Sequence, residues 1–129
     1  LEVDILRGIL EQDTNFEVYS TLYSAHALTL ILDIIPDIIV LDVKMPWVDG
    51  IQLKKLLADH KITSEIPVIF LSSSTEDKER GMAAGCYAYV NKPFRTPDLV
   101  SLIKECRIVH MISELKESVS NLRLSTLGV

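Results

Sequence analysis

The chain has 129 residues, 48% of them hydrophobic and 24% charged, with a formal net charge of −5; this fits one domain with a single core rather than a disordered segment. No basic run marks a nucleic-acid footprint, and the richest apolar stretch, residues 28–43, is broken by Asp33, Pro36, Asp37 and Asp42, which rules out a spanning helix there. Cys86 and Cys106 stand far apart with no second pair, which suits reduced cytosolic thiols better than a disulfide frame or a zinc site, and no signal peptide is visible.

Val3, Leu6, Ile9 and Leu10 recur at helical spacing, predicting an amphipathic helix over residues 2 to about 12. The polar turn Asp13-Thr14-Asn15 leads into Phe16–Tyr23, which reads as a strand. Ser24 can cap a helix with Ala27, Leu28, Ile31, Leu32 and Ile35 on one face, stopped by Pro36. The next stretch, PDIIVLDVKMPWVDG, spans 36–50. Its apolar run is too short for a long core helix; bounded by prolines and rich in β-branched residues, it predicts a strand buried on both faces. Asp42 closes that strand. A carboxylate between apolar neighbours must keep its charge solvated by a metal, a cation or water, and ligands of open α/β sheets gather beyond the strand ends. The competing reading of Asp42 is a carboxylate that caps a loop.

Asp49-Gly50 reads as a turn into a third helix, with Asp49 as N-cap. That helix covers residues 51–60, with Leu53, Leu56 and Leu57 inward and Lys54 and Lys55 outward. Pro67 opens a strand over 68–71 that ends in Ser72-Ser73-Ser74-Thr75, where Ser74 or Thr75 can cap the helix that follows. Gly81 weakens that helix, over 76–84, by about 1 kcal/mol relative to Ala, and Gly85 suits its left-handed end. The last strand, 86–90, runs into Asn91-Lys92-Pro93-Phe94; taken alone, Lys92 is an exposed strand-end lysine. Thr96 and Pro97 start the final helix, which should bury Leu99, Leu102, Ile103 and Cys106. Beyond it Ile108, Ile112, Leu115, Val119 and Leu122 step by four, three, four and three, an a/d seam of about two heptads. An extended helix leading to an output domain or a dimer partner is the favoured reading; a helix folded back on its own domain is the alternative.

The stretch from Pro36 to Gly50 closely resembles the phosphoacceptor segment of bacterial response-regulator receiver domains, strand–Asp–x–x–Met–Pro–x–x–Asp–Gly. The strand ending in Ser72 and the run Lys92-Pro93-Phe94 follow at the intervals of that pattern, so the resemblance covers about Phe16 to Cys106. It implies an α/β fold: a flavodoxin-like doubly wound parallel sheet, strand order 2-1-3-4-5, with a receiver over 1–108 and a C-terminal helical extension or linker over 109–129. Departures are Tyr87 and Ala88 where receivers often carry two acids, and Trp47 and Ser73 where they carry small residues. The family's first strand and its acidic pair fall ahead of Leu1. Three explanations compete, in this order: a trimmed chain, a strand supplied by another chain, or a repacked fold. Glu2 and Asp4 are poor substitutes for the pair, since they sit on a helix.

The resemblance implies that Asp42 is a nucleophile taking a phosphoryl group from a phosphohistidine on a sensor histidine kinase or phosphotransfer protein. Mg²⁺ would be held by Asp42, the carbonyl of Lys44 and the upstream acids. Lys92 would supply a point charge and Ser72 a hydroxyl to the phosphoryl oxygens. Ser72 and Tyr89 would form the switch, and the side chains of Lys44 and Ser74 would flank the pocket. In the family the Lys–Pro bond is cis. The expected setting is cytoplasmic, with a possible homodimer through the C-terminal helix, no membrane, and no catalysis beyond self-phosphorylation and autodephosphorylation. Two other classes stay open. One is a pseudo-receiver that binds its partner unphosphorylated. The other is a hydrolase with an aspartate nucleophile, which Lys44 argues against because such enzymes resemble Asp-x-Asp. A nucleotide-binding flavodoxin-like protein is disfavoured, since no Gly-rich loop follows a strand.

Overall fold

The computed structural model describes residues 2–12, 16–21, 24–45 and 49–126, without the side chains of 2–4, 24 and 120–126. In chain order the elements are α1 (Glu2–Gln12), α2 (Ser24–Ile34), β1 (Ile39–Asp42), α3 (Gly50–Ala58), β2 (Val68–Ser72), α4 (Lys78–Ala83), β3 (Ala88–Asn91) and α5 (Thr96–Thr126). The strands form one parallel sheet in the order β1-β2-β3. Ile39 pairs with Val68 and Asp42 with Leu71, while Ile69 pairs with Ala88 and Ser72 with Asn91. Parallel neighbours need crossovers rather than hairpins, and α3 and α4 provide them.

Successive side chains of a strand point to opposite faces, and the core divides accordingly. Ile39, Leu41, Val68 and Phe70 pack with Ala27 and Ile31 of α2 and Ile51, Leu53 and Leu57 of α3. On the other face Ile69 packs with Leu10 of α1 and Leu99, Val100, Ile103 and Cys106 of α5. This is the doubly wound arrangement expected from the sequence, and α5 follows its predicted apolar stripe; in α1 Leu10 is buried and Leu6 partly so, while Ile9 is exposed and the Val3 side chain lies outside the described residues.

Several expectations change. β1, expected to be buried on both faces, is buried on one, with Ile39 and Leu41 inside and Val40 only partly covered, whereas Val68, Ile69 and Phe70 of β2 are fully buried. The reason is position: β2 has a strand on each side, whereas β1 pairs only with β2 among the described residues. Residues 16–21 carry no ladder, so the strand expected over Phe16–Tyr23 is not formed in its described part. An extended segment needs a neighbouring strand to satisfy its backbone, and this one is held by side chains. Arg7 Nη2 donates to the Val18 carbonyl (3.2 Å) and to Ser20 Oγ (2.9 Å), and the Arg107 guanidinium lies 5.0 Å over the Phe16 ring. In α3 the buried stripe is Gly50, Ile51, Leu53, Lys54 and Leu57. Lys54 is thus inside, its stem covering apolar surface, and Leu56 is outside. Leu32 of α2 and Ile35 just beyond its end are exposed, although both were expected on its inner face. The capping role of Ser24 and the environment of Trp47 lie outside the described residues.

Candidate functional site

Parallel pairing sets the ends of all three strands on one side, and their last residues converge. Val43 N donates to the Leu71 carbonyl (2.9 Å) and Lys92 N to the Ser72 carbonyl (2.7 Å), which locks Asp42, Ser72 and Lys92 side by side. The Lys92–Pro93 peptide is cis, as the resemblance implies. Lys92 Nζ lies 2.8 Å from Asp42 Oδ1. Oδ1 is shielded from solvent and makes no hydrogen bond of acceptable angle, so the contact is an ion pair rather than a directed bond. The Asp42 side chain is nevertheless 45% exposed, and with Oδ1 covered that exposure falls on Oδ2 and the carbons. One carboxylate oxygen is therefore held by a cation and the other is open to an incoming group.

Ser72 is buried, and its hydroxyl is engaged in its own turn rather than with the carboxylate. It accepts from Ser74 N (3.0 Å) and donates to the Ser74 carbonyl (3.3 Å). The Tyr89 hydroxyl donates to that same carbonyl (2.5 Å), and the Tyr89 ring meets Phe70 edge-on at 6.4 Å. Both sequence-predicted switch residues thus share one backbone acceptor. That acceptor is the part of the site sequence reasoning missed, because Ser74 was expected to act through its side chain. Its Oγ accepts from Glu76 N at 3.2 Å, capping a turn ahead of α4, whose own N-cap is Asp77 rather than the expected Ser74 or Thr75.

The loop after β1 is fixed by three contacts. Asp49 caps α3 as predicted, its Oδ1 accepting from Ile51 N at 2.7 Å. Its other oxygen pairs with Arg80 Nη2 of α4 at 3.2 Å, and Arg80 Nη1 pairs with Asp77 at 3.0 Å. Burial pushes the Asp49 carboxyl up, but the Ile51 amide and the Arg80 guanidinium outweigh it and hold it below its ordinary value. At Gly50 a Cβ would stand 2.2 Å from the Asp42 carbonyl oxygen, so only glycine lets α3 start this close to the strand end. Lys44 is exposed and bridges to Asp49 in antiparallel fashion. The thiols take no part: burial pushes Cys106 up to about 11 and raises Cys86.

Of the donors the resemblance implies for a divalent cation, only Asp42 and Lys44 lie among the described residues, and no group of three His, Cys, Asp or Glu capable of holding a metal is found among those residues. A Mg²⁺ ion prefers an octahedron of oxygens, and the one carboxylate here already faces Lys92. The described residues do not fit Mg²⁺ by themselves, and Glu2 and Asp4 have side chains outside them.

Residues 2–104 match the family described as "Response regulator receiver domain". The chain belongs to the response-regulator receiver family. Its relatives include the phosphate regulon transcriptional regulatory protein PhoB of Rhizobium meliloti, 37% identical over 102 residues (78% of this chain, 44% of that protein). The polar-differentiation response regulator DivK of Brucella ovis is 32% identical over 106 residues, covering 81% of this chain and 85% of DivK. A protein of Pyropia yezoensis named "Probable transcriptional regulator ycf29" is 40% identical over 93 residues, 70% of the receiver and 42% of that protein. The receiver therefore spans less than half the length of two of these three relatives. Among solved structures, a CheY-like receiver domain protein of Methanospirillum hungatei superposes with a TM-score of 0.76 at 26% identity, covering 86% of the receiver and 88% of that chain. Among the described residues no helix of the receiver is long and apolar enough to cross a membrane.

Proposed function

We propose that this receiver is a phosphoacceptor in two-component signalling, with Asp42 the residue modified. The observation that carries the reading is the Asp42–Lys92 pair at 2.8 Å, with the rest of the carboxylate open. An Asp42 oxygen forms a bond to phosphorus as the phosphorus–nitrogen bond of a phosphohistidine breaks. The imidazole keeps the electron pair and takes a proton from water. The partner is accordingly a sensor histidine kinase or a phosphotransfer protein. Such a transfer asks for positioning and charge neutralisation. Lys92, already beside Oδ1, supplies a positive charge to the phosphoryl oxygens. Ser72 supplies a hydroxyl once it leaves the Ser74 carbonyl, and Tyr89, bonded to that carbonyl, is released to follow. The face made by α4, β3 and the first half of α5 then changes, which is how an output domain or a dimer would sense the modification.

Mg²⁺ would need donors beyond Asp42 and Lys44. We place the receiver body at 1–108, the helical extension at 109–129, and the protein in the bacterial cytoplasm. The test is incorporation of one phosphoryl group from acetyl phosphate or a kinase, read by intact mass. Asp42→Asn should remove it, and Lys92→Ala should slow it about 100-fold or more, in line with the loss of a charge that stabilises a transition state. Incorporation that survives Asp42→Asn moves the site elsewhere. No incorporation into the full-length protein, with Mg²⁺ present, favours an interaction module that works unphosphorylated.

A further inference from the structure

The first half of α5 is anchored to the receiver body by Leu99, Val100, Ile103 and Cys106, all buried. From Met111 to Val119 every residue is exposed, which carries this half of the helix off the body and removes the fold-back alternative. Its apolar side chains are nevertheless in order. Ile112 and Val119 occupy a positions of a heptad and Ile108 and Leu115 d positions, and all four are exposed. Leu122, whose side chain lies outside the described residues, holds the next d position in the sequence. β-Branched residues at a with leucine at d favour two parallel strands.

Charge gives the same orientation. Lys116, and Arg123 in the sequence, fall at e. An antiparallel pair sets e against e, cation on cation. A parallel pair sets g against e, here Met111 opposite Lys116 and Ser118 opposite Arg123 of the second copy, with no like charges facing. The seam also has a defined start. The preceding a and d positions are Glu105 and Ser101, and Glu105 is engaged inside the domain, accepting from the Tyr87 hydroxyl at 2.8 Å.

We propose that residues 108–122 of α5 pair with the same stretch of a second copy of this chain as a parallel, in-register, two-stranded coiled coil that begins where the helix leaves the receiver body. The pairing sets both phosphoacceptor domains at one end of the coil. Two heptads bury less than the roughly 1,200 Å² at the lower end of stable interfaces, so the dimer forms in a concentration-dependent way.

Sedimentation of the parent chain from low micromolar to submillimolar concentration should show the mass rising from monomer to dimer. Leu115→Ser/Val119→Ser should weaken association about tenfold or more, leaving the urea-unfolding midpoint of the receiver body unchanged as proof of a folded domain. Under mild oxidation Leu115→Cys should give a covalent dimer that the parent chain, treated identically, does not. A parent chain that stays monomeric, a double variant that still dimerises, or a dimer in which Leu115→Cys fails to cross-link each overturns the proposal. None of these readouts depends on whether Asp42 is the phosphorylated residue.

Discussion

Two glycines in helices offer a paired measurement of the contact beneath the switch tyrosine. Gly8 lies in α1 with nothing within 4 Å of a Cβ built on it. Gly8→Ala should therefore show the bare helix-propensity gain, about 0.8–1 kcal/mol of added stability. Gly81 lies in α4, where a Cβ would stand 2.9 Å from Tyr89 Cδ2 and 3.3 Å from Phe70 Cδ2. Ordinary contact begins near 3.4 Å, so Gly81→Ala must displace a ring. Overpacking costs about 1–3 kcal/mol, and a further ~0.5–1.5 kcal/mol is at risk if Tyr89 loses its bond to the Ser74 carbonyl. Set against the same propensity gain, Gly81→Ala should fall between neutral and about 3.5 kcal/mol destabilising. Urea unfolding of both variants gives the two values, and equal stabilisation by both would refute the contact. The sequence assigned Gly81 only its helix penalty; the structure assigns it the approach of α4 to the ring.

Two further predictions follow from named contacts. Asp49 is held below its ordinary value of 3.8 when folded, so its charge adds stability that is present above the unfolded pKa and is lost as pH falls through the folded one. Asn caps helices about as well as Asp, so the stability difference between parent and Asp49→Asn should shrink as pH drops below about 4, and a difference constant with pH would rule the charge out. The Thr63 hydroxyl, in a residue only 1% exposed, donates to the Leu57 carbonyl at 2.7 Å; Thr63→Val should cost about 1 kcal/mol by denaturant unfolding, and an unchanged midpoint would show the bond to be idle.

What could be read from the sequence was local or periodic. β-Branched runs bounded by proline located β1 and β2, and the last residues of those strands, with Lys92, meet as the motif required. Asp49 caps α3 because an acid before a helix start is a nearest-neighbour signal. What could not be read depends on partners distant in the chain. Phe16–Ser20 has strand composition, but a strand exists only beside another. Lys54 and Leu56 exchange places because the buried stripe of α3 begins at Gly50, drawn against the Asp42 carbonyl. The Arg80–Asp49 pair joins residues 31 apart in the chain. The shared acceptor at Ser74 is a backbone atom, to which side-chain identity gives no clue.

The continuity of α5 has a mechanical consequence. It is one helix from Thr96 to Thr126, and its only proline sits in the first turn, where it does not break the helix. Beyond Ile108 about 18 residues project roughly 27 Å at 1.5 Å per residue. An uninterrupted rod of that length is a lever: a tilt of about 10° at the Tyr87–Glu105 contact would move its far end by roughly 5 Å. A rearrangement too small to register in the receiver body becomes, at Thr126, a displacement of about one helical turn.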